Sequence, residues 1–416
     1  MTAIRGTRAG VLEEAVLYLR DLATIRERCD RLLAYGIEGQ LEHFEVHLDR
    51  LPVAAVRTAT VTRRRYPDLK VPIHGRLRHF DVGGVPRLSD LERRTDDQDP
   101  CERARALCDM VVVSVLLDAG SGPRWRYHES ETGQTLARSE GLAVASMRWI
   151  AAGGLSSHGL PYQVDAEGLL AVTTERLGRA FQVSADNPLA GLGGRAGLLQ
   201  ALGEALTKRA DVFGEEGRIG GLVDFFQARA EEGGVHANTV LDALLEGLGS
   251  IWPGGPALAG VPLGDVWRHP RAGGTGPGAG FVPFHKLSQW LTYSMIEPLQ
   301  VAGLQVSGVS ALTGLAEYRN GGLLIDTGVV CPRDETATRV SHRVDAELIV
   351  EWRALTVALL DRMVPLVQAE LGVAADALPL SSILEGGTWE AGREIAKELR
   401  PDGGPPIRID SDGTVF

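Results

Sequence analysis

The sequence predicts a mainly α protein with few short strands. Several long segments repeat apolar residues at helical spacing, whereas the alternation typical of half-buried strands is weak. The chain has 416 residues, of which 44% are hydrophobic and 23% charged, the ordinary composition of a globular protein. The sequence has neither an internal repeat nor a heptad array. We therefore expect packed helices rather than a coiled coil or a large sheet.

The first predicted helix covers residues 11–35. Its apolar residues recur every three or four positions, which indicates one buried face, and Gly36 is a suitable stop. A second helix is predicted to begin at Pro100, because Asp99 is a good cap and proline fits the first helical position. The VVVSVLLD run that follows fits either a continued helix or a buried strand, and periodicity alone does not separate the two.

The same spacing predicts the remaining helices, and shorter signals predict the strands. The helices cover residues 139–152, 196–212, 219–232, 236–250, 286–300 and 346–371, the last kinked or broken by Pro365. Residues 69–82 and 405–416 are predicted to be extended. Residues 253–283 are rich in proline and glycine, which predicts a long loop of the kind that is functional or disordered.

The chain is predicted to divide into an N-terminal helical and extended elaboration, residues 1–95, and a helical domain, residues 96–416. One continuous domain is the alternative, because the composition shows no clean break.

Charge and composition argue against several classes of partner. The net charge of −11 is opposite to the basic face of a nucleic-acid binder, so no polymeric DNA or RNA partner is expected. A run of about 18 uncharged apolar residues is missing, which argues against a membrane span. The first residues lack a basic-then-apolar leader, so we expect a cytoplasmic protein. The four cysteines have no disulfide or metal spacing, and the oligomeric state is not indicated.

One group of residues superficially resembles a metal site. In the run His342, Asp345 and Glu347, helical spacing would put His342 and Asp345 on one face, but a third ligand is not indicated. Polar residues before a helix explain this run more simply, with Asp345 in the acidic helix start. Motifs such as HExxH, GxxxxGK[ST] and GxSxG are missing from the sequence. The sequence therefore predicts no metal or other cofactor.

The first group of candidate binding residues opens the helix predicted at 286–300. Lys286 at a helix start adds its charge to the partial positive charge of free backbone N–H groups, a combination that binds phosphate. His285 precedes it, and Gln289 follows one turn later. An exposed lysine on a capping turn is the alternative.

The second group of candidates lies between two apolar segments. Glu317, Tyr318 and Arg319 precede a glycine pair, and Asp326 is a second acid nearby. A surface ion pair is the common explanation of such neighbours. The small apolar flanks favour partial burial, in which a carboxylate stabilises positive charge that develops in a transition state. Asp326 is either a structural residue or the reactive carboxylate in place of Glu317.

Four motifs resemble the uracil-catabolism protein four family, a domain of unknown function. They are FHKLSQWLTYSMIEP, LTGLAEYRNGGLLIDTGV, VEWRALTVALLD and the terminal DGTVF, and the resemblance covers nearly the full length. It implies a role in degrading uracil, through intermediates that carry a ribose.

A remote resemblance, from about residue 100 onward, is to the queuosine salvage proteins, nucleotide N-glycosidases on a helical scaffold related to DNA glycosylases. FHKLSQ resembles their FYKRAQ, AEYR resembles their ADYR, and SILEGGTWEAGREIA resembles their SILLDYYLWDYAR. It implies a DNA-glycosylase-like fold, with Lys286 and Glu317 in the active site. This sequence departs from the motifs of that family at two positions: the acid is a glutamate rather than an aspartate, and His285 replaces an aromatic hydroxyl. Both differences bear on which leaving group the substrate carries.

Together the resemblances imply a hydrolase that cleaves the N-glycosidic bond of ribosylurea, or of its 5′-phosphate, and releases urea. Catalytic roles are predicted for Glu317, Arg319 and Asp326. Substrate binding is predicted for His285, Lys286, Gln289 and Tyr318, and His285 is one candidate for the proton donor. Two alternatives remain open: a metal-dependent amidohydrolase that acts on a ureido intermediate, and a regulator that binds a nucleotide without turnover.

Overall fold

The computed structural model describes residues 8–95, 99–252, 255–258 and 260–410, so the terminal DGTVF motif lies outside the described residues. Within these ranges helices dominate and every strand is short, which confirms the mainly α fold class. The described chain forms two compact units. The first combines described residues of 8–74, 255–289 and 309–410, and the second those of 75–252 and 290–308. The division predicted between residues 95 and 96 stays a prediction.

The helices differ widely in length. In chain order they are α1 (Arg8–Arg20), α2 (Leu22–Ile37), α3 (Leu51–Arg65), α4 (Leu77–Phe80), α5 (Leu88–Arg94), α6 (Pro100–Leu116), α7 (Arg138–Ala151), α8 (Ala166–Leu170), α9 (Thr174–Ala180), α10 (Leu192–Lys208), α11 (Ala210–Phe213), α12 (Gly221–Gln227), α13 (Ala237–Leu248), α14 (Lys286–Val301), α15 (Tyr318–Asp326), α16 (Glu347–Leu371), α17 (Leu380–Ile383) and α18 (Trp389–Leu399). A π-helical turn, Leu384–Thr388, joins the last two. None of these helices combines the length and the apolar character that crossing a membrane requires.

The described strands are two or three residues long and pair only two at a time. They are β1 (Phe44–Val46), β2 (Tyr127–His128), β3 (Thr135–Leu136), β4 (Gly234–His236), β5 (Ala257–Leu258), β6 (Val261–Pro262), β7 (Val266–Arg268), β8 (Phe281–Pro283), β9 (Gln305–Ser307), β10 (Val330–Pro332), β11 (Ser341–Arg343) and β12 (Arg408–Asp410). The pairs β1–β10, β2–β3, β5–β6 and β7–β8 are antiparallel, and β4–β9 and β11–β12 are parallel.

Most predicted helices are confirmed, and their starts follow the expected chemistry. The Asp99 carboxylate accepts the Cys101 N–H at 3.1 Å and Pro100 occupies the first turn, as predicted. The valine run belongs to α6 and is buried on all sides, which explains why its periodicity was uninformative. The single helix predicted over 11–35 is wrong, because Asp21 ends α1 and caps α2 through the Ala23 N–H at 2.7 Å.

The predictions of extended segments were less accurate. Residues 69–82 contain no strand and include the short helix α4, so that prediction is wrong. Of residues 405–416, the segment Arg408–Asp410 is a strand, and those beyond 410 lie outside the described residues. The loop predicted at 253–283 holds β5–β8. The predicted break at Pro365 is also wrong, since α16 continues to Leu371 with the proline inside it.

In the first unit α16 is the central helix, buried along most of its length against α2, α3 and α15. The glycine pair after Arg319 explains how α15 approaches it so closely. A Cβ on Gly321 would lie 2.7 Å from the Trp352 Nε1 atom and 2.8 Å from the Thr356 Oγ1 atom. Only glycine leaves room for this contact, which fixes the position of the residues that begin α15.

A second close approach, between α15 and α18, makes a measurable prediction. A Cβ on Gly392 would lie 2.2 Å from the Arg319 carbonyl oxygen. Alanine in a helix interior normally stabilises by roughly 0.5–1 kcal/mol relative to glycine. At Gly392 the overlap with backbone outweighs that gain, because overpacking costs about 1–3 kcal/mol. We expect Gly392→Ala to lower the free energy of unfolding, measured by urea denaturation.

Gly197 in α10 is a matched control. It is exposed, and the space around its Cβ position is open to 4 Å. Gly197→Ala is expected to raise the free energy of unfolding by roughly 0.5–1 kcal/mol. If both substitutions stabilise the protein, the tight contact between α15 and α18 is contradicted.

Candidate functional site

The start of α14 is held by one residue, Asp265. Its carbonyl oxygen accepts the N–H groups of Phe284 and His285 at 2.9 and 3.2 Å. Its carboxylate accepts the Lys286 N–H at 3.0 Å. One of the backbone donors that the sequence analysis assigned to a phosphate is therefore already used. A phosphate anchor at this place depends mainly on the Lys286 side chain.

Arg353, in the second turn of α16, neutralises Asp265. Its two terminal nitrogens each donate to one carboxylate oxygen of Asp265 at 2.7 Å, and its guanidinium lies 4.1 Å from the centre of the Phe284 ring. Burial would raise the pKa of Asp265, but the charge and the hydrogen bonds of Arg353 hold it well below its usual range. The pair is thus ionised and ties α16 to the residues that position Lys286.

His285 occupies a strained and buried position. Its φ of +46° lies in the left-handed region, which is uncommon for a residue other than glycine. The ring nitrogen Nε2 lies 2.9 Å from the Leu19 carbonyl oxygen and donates to it. Burial lowers the pKa of this imidazole, so it is held neutral near pH 7. A neutral ring with one nitrogen occupied is poorly suited to hold a phosphate.

Gln289 uses its amide within the protein. Its Nε2 donates to the Phe284 carbonyl oxygen at 3.0 Å and to Thr313 Oγ1 at 2.9 Å, while its Oε1 accepts the Thr313 N–H at 2.8 Å. The side chain therefore joins the first turn of α14 to the segment that leads to Glu317. This arrangement favours a positioning role over direct contact with a substrate.

Glu317 immediately precedes α15 and caps it. One carboxylate oxygen accepts the Arg319 N–H at 2.9 Å, and the other accepts the Asn320 N–H at 2.6 Å. The residue is 9% exposed. A carboxylate has about four acceptor positions, so each oxygen keeps one for a substrate or a water. Glu317 is therefore fixed by the backbone without being saturated.

The electrostatic environment of Glu317 includes the predicted binding residue. Burial raises the pKa of its carboxyl, and the Arg319 backbone hydrogen bond and the Lys286 charge offset only part of that rise. Lys286 is thus close enough for its charge to act on the Glu317 carboxylate. The structure places these two residues within electrostatic range of each other, although they are 31 positions apart in the sequence.

The Arg319 guanidinium donates its hydrogen bond to a group other than the Glu317 carboxylate. Its Nη1 donates to the Gly403 carbonyl oxygen at 2.8 Å, and its guanidinium lies 4.9 Å from the Tyr318 ring centre, a cation–π arrangement. The Arg319 Nε is buried and, within the described chain, has no hydrogen-bond partner. Arg319 thus orients Glu317 through its backbone N–H rather than through its guanidinium.

Asp326 lies at the other end of α15. The nine-residue helix places it about 14 Å along the axis from Glu317. Its carboxylate forms a two-point ion pair with Arg400, with one contact of 2.8 Å to Nη1. Together with Arg50 and Arg57 of the α3 region it also lines an open cavity of about 520 Å³. The structure does not bring Asp326 together with Lys286 and Glu317.

The chain is similar to known proteins over nearly its whole length. Residues 18–416 match the family described as a protein of unknown function, DUF1688. The chain is 39% identical over 412 residues to protein urg3 of Schizosaccharomyces pombe, covering 97% of this chain and 99% of the relative. It is 37% identical over 440 residues to uracil catabolism protein 4 of Lachancea kluyveri, covering 97% and 100%.

The chain belongs to this DUF1688 family. The family resemblance proposed from the sequence is thereby confirmed. The remote resemblance to queuosine salvage proteins stays a prediction.

Sequence reasoning missed the residues of this family member that position the site. Asp265 and Arg353 are 88 positions apart in the chain, and their ion pair is visible only after folding. The one available signal was Asp265 itself, an acid in a glycine- and proline-rich loop of a kind predicted to be either functional or disordered. For Arg353 there was no signal beyond its place in the VEWRALTVALLD motif.

Sequence reasoning also missed a group that could hold a metal. Among the described residues, His43, Glu347 and Glu351 have ligand atoms that all lie within 4.8 Å of one another. Glu347 was considered with His342 and Asp345, but those two have other partners. His342 bonds the Ala337 carbonyl oxygen at 2.9 Å, and Asp345 pairs with Arg343. The four-residue spacing of Glu347 and Glu351 on one helix face was the usable signal.

Proposed function

We propose that the protein takes part in uracil catabolism and hydrolyses the N-glycosidic bond of ribosylurea, as its 5′-phosphate. The pathway is supported by the name of a relative, uracil catabolism protein 4, which matches over 97% of this chain and 100% of its own length. The reaction is supported by one observation: the Lys286 charge acts on the buried Glu317 carboxylate at the start of α15. An anion anchor beside a fixed carboxylate suits a phosphorylated sugar.

In the proposed reaction the bond between ribose C1′ and the urea nitrogen breaks, and its electron pair leaves with nitrogen. The nitrogen takes up a proton, and a water oxygen bonds to C1′. Positive charge develops on the sugar in the transition state, as in O-glycoside hydrolysis. Glu317 stabilises that charge through its remaining lone pairs and accepts a proton from the attacking water. The capping bonds hold the carboxylate in place, so little reorganisation is needed.

The other residues of the proposed site have supporting roles. Lys286 binds the 5′-phosphate, and this remote binding energy positions the scissile bond. Gln289 and the backbone of Arg319 position the two segments that carry Lys286 and Glu317. Tyr318, half-buried beside Arg319, is the remaining candidate for contact with the substrate. His285 acts through its neutral ring as a structural residue.

A product assay tests the proposal. Purified protein incubated with ribosylurea 5′-phosphate is expected to release urea and ribose 5-phosphate in equal amounts. Release of ammonia in place of urea would contradict N-glycoside hydrolysis and favour cleavage of the ureido group. Tight binding without any product would favour a regulatory protein.

The metal-dependent amidohydrolase remains the second candidate, because one observation favours it. The group of His43, Glu347 and Glu351 offers the mixed nitrogen and oxygen ligands that such enzymes use. If it is correct, ammonia forms, and the reaction requires the added metal.

The charge of Lys286 predicts a change in the pH profile. Because Lys286 lowers the pKa of Glu317, Lys286→Gln raises it further. Glu317 must be ionised to act, so the acid limb of the kcat/KM profile is expected to move to higher pH. The KM for the phosphorylated substrate is expected to rise roughly 10- to 100-fold, because the variant loses a charge-assisted hydrogen bond to the phosphate. The KM for unphosphorylated ribosylurea changes little.

Lys208→Gln is the matched control for this experiment. Lys208 is an exposed lysine on α10, paired with Glu204 at 3.2 Å. Its substitution removes the same charge and is expected to leave both the KM and the pH profile unchanged. A Lys286→Gln enzyme with an unaltered preference for phosphate would contradict the proposed anchor.

A further inference from the structure

We propose that His43, Glu347 and Glu351 form a binding site for a divalent transition-metal ion, for which Zn²⁺ is the best match. The inference does not depend on the proposed function. All three residues belong to the first unit, and their ligand atoms lie within 4.8 Å of one another. In a tetrahedral zinc site with bonds of about 2.1 Å, neighbouring ligand atoms are about 3.4 Å apart. The ligand atoms therefore need to approach one another by at most about 1.4 Å to complete the site.

Glu351 is the fixed member of the site. It is fully buried, and its two carboxylate oxygens accept the backbone N–H groups of Glu42 and His43 at 3.3 and 3.1 Å. These bonds hold the carboxylate rigidly and leave an acceptor position on Oε2 for an ion. They also hold the backbone of His43 beside the carboxylate. The backbone of His43 is therefore fixed relative to the Glu351 carboxylate, while its imidazole can still adjust.

His269 supports Glu351 from the other side. Its Nδ1 accepts the Arg271 N–H at 3.1 Å, so the proton of the neutral ring lies on Nε2. That nitrogen lies 3.3 Å from Glu351 Oε1 and 3.7 Å from Glu347 Oε1. Metal-ligating groups are commonly oriented by such hydrogen bonds from a second residue. His269 is thus placed as a positioning residue rather than as a ligand.

The adjustable members of the site are Glu347 and His43. The Glu347 side chain is 39% exposed, four residues before Glu351 on the same face of α16. His43 is half-buried, and within the described ranges its imidazole has no hydrogen bond or ion pair. Both can move toward an ion without disturbing the core. Their exposure also leaves a coordination position for water, as in sites with three protein ligands.

The ligand types select the metal. One imidazole and two carboxylates suit Zn²⁺, which binds nitrogen and oxygen in four-coordinate sites. Mg²⁺ demands octahedral oxygen ligands and gives up its water reluctantly, so it is expected to bind far more weakly. The competing explanation is that the hydrogen bond from His269 Nε2 to Glu351 holds this group together, with no ion involved.

Calorimetric titration of the full chain with Zn²⁺ tests the proposal. We expect one equivalent to bind, Mg²⁺ to give no comparable heat, and Zn²⁺ to raise the Tm. Glu347→Gln is expected to weaken Zn²⁺ binding by at least roughly tenfold. Even the loss of a residue that only orients a metal ligand lowers metal affinity by about 10- to 100-fold. His43→Gln is a second variant with the same expected loss, in case the first fails to fold.

Glu370→Gln is the matched control, because Glu370 is an exposed acid at the other end of α16. It is expected to bind Zn²⁺ as the natural sequence does. Absence of Zn²⁺ binding by the natural sequence would overturn the proposal in favour of the His269 hydrogen bond alone. Equal Zn²⁺ affinity in the Glu347→Gln, His43→Gln and control proteins would also overturn it, since the ion would then bind elsewhere.

Discussion

Replacing Glu317 by glutamine is expected to lower urea release from ribosylurea 5′-phosphate by roughly 10²- to 10³-fold in kcat, the effect of losing one preorganised electrostatic group. Glutamine has nearly the same shape and keeps one oxygen that can cap α15. It lacks the negative charge that would stabilise the sugar cation and the basicity that would accept a proton from water. The loss is therefore expected in kcat rather than in substrate binding.

Because Glu317 also caps α15, a structural loss must be separated from a catalytic one. Asp21→Asn is a matched control, since Asp21 caps α2 through its carboxylate and the change is likewise from acid to amide. Both variants are expected to lose at most about 1–2 kcal/mol of stability, the usual range for a cap. Only Glu317→Gln is expected to lose activity.

A second variant keeps the charge and changes only its reach. Glu317→Asp retains a carboxylate and a good capping residue, and aspartate is the acid of the family that the AEYR motif remotely resembles. It is expected to keep more activity than Glu317→Gln. If the glutamine variant is folded and fully active, Glu317 is a cap alone and the catalytic assignment fails.

Replacing Asp265 by asparagine is expected to lower the free energy of unfolding by about 3–5 kcal/mol, because it leaves the Arg353 guanidinium buried without a counter-charge. The side chain of Arg353 is only 2% exposed, so water does not replace the lost partner. An amide would also place a donor opposite the donors of Arg353. Urea denaturation at pH 7 measures this loss.

The ion pair also predicts how stability depends on pH. The pKa of Asp265 is depressed in the folded protein, so its contribution is fully present above the unfolded value of about 3.9. That contribution is lost as the pH falls below this value toward the folded pKa. The difference in stability between the natural sequence and Asp265→Asn is therefore expected to be constant near neutrality and to shrink below about pH 4.

Asp345→Asn is the matched control for Asp265→Asn. Asp345 also makes a two-point pair with an arginine, at 2.8 Å for both contacts with Arg343. That pair is exposed, with 80% of the Arg343 side chain accessible to water. Its loss is expected to change stability far less, because water replaces both partners. Equal losses in the two variants would contradict the structural role of the buried pair.

Part of the fold could be predicted from the sequence because it depends on local chemistry. Helix spacing and the Asp99–Pro100 start predicted α6, and the same spacing predicted α7, α10, α13, α14 and α16. The failures have physical causes. Residues 69–82 alternate like a strand but find no partner to pair with, and Pro365 is accommodated within a long buried helix. The break at Asp21 was missed because one apolar face continues through α1 and α2.

The candidate site was predicted in part, through Lys286 and Glu317, which stand in distinctive motifs. Their meeting, and the separation of Asp326 from both, depend on how α14 and α15 are placed. That placement follows from Asp265, Arg353, Gln289 and the glycine contacts of α15. The sequence did not predict these residues as a group, because each acts through a partner far away in the chain.

The sequence by itself determined the family, the mainly α class and the chemical types available at the site, because these depend on residue identity and local spacing. The tertiary structure decided which charges are buried, which are paired and which act on each other. Glu317 is a buried helix cap whose carboxyl pKa is lowered by the charge of Lys286. Burial lowers the pKa of His285 and keeps its ring neutral, and folding places His43 beside Glu347 and Glu351. Solvent exclusion and long-range contacts set these properties, and they exist only once the chain is folded.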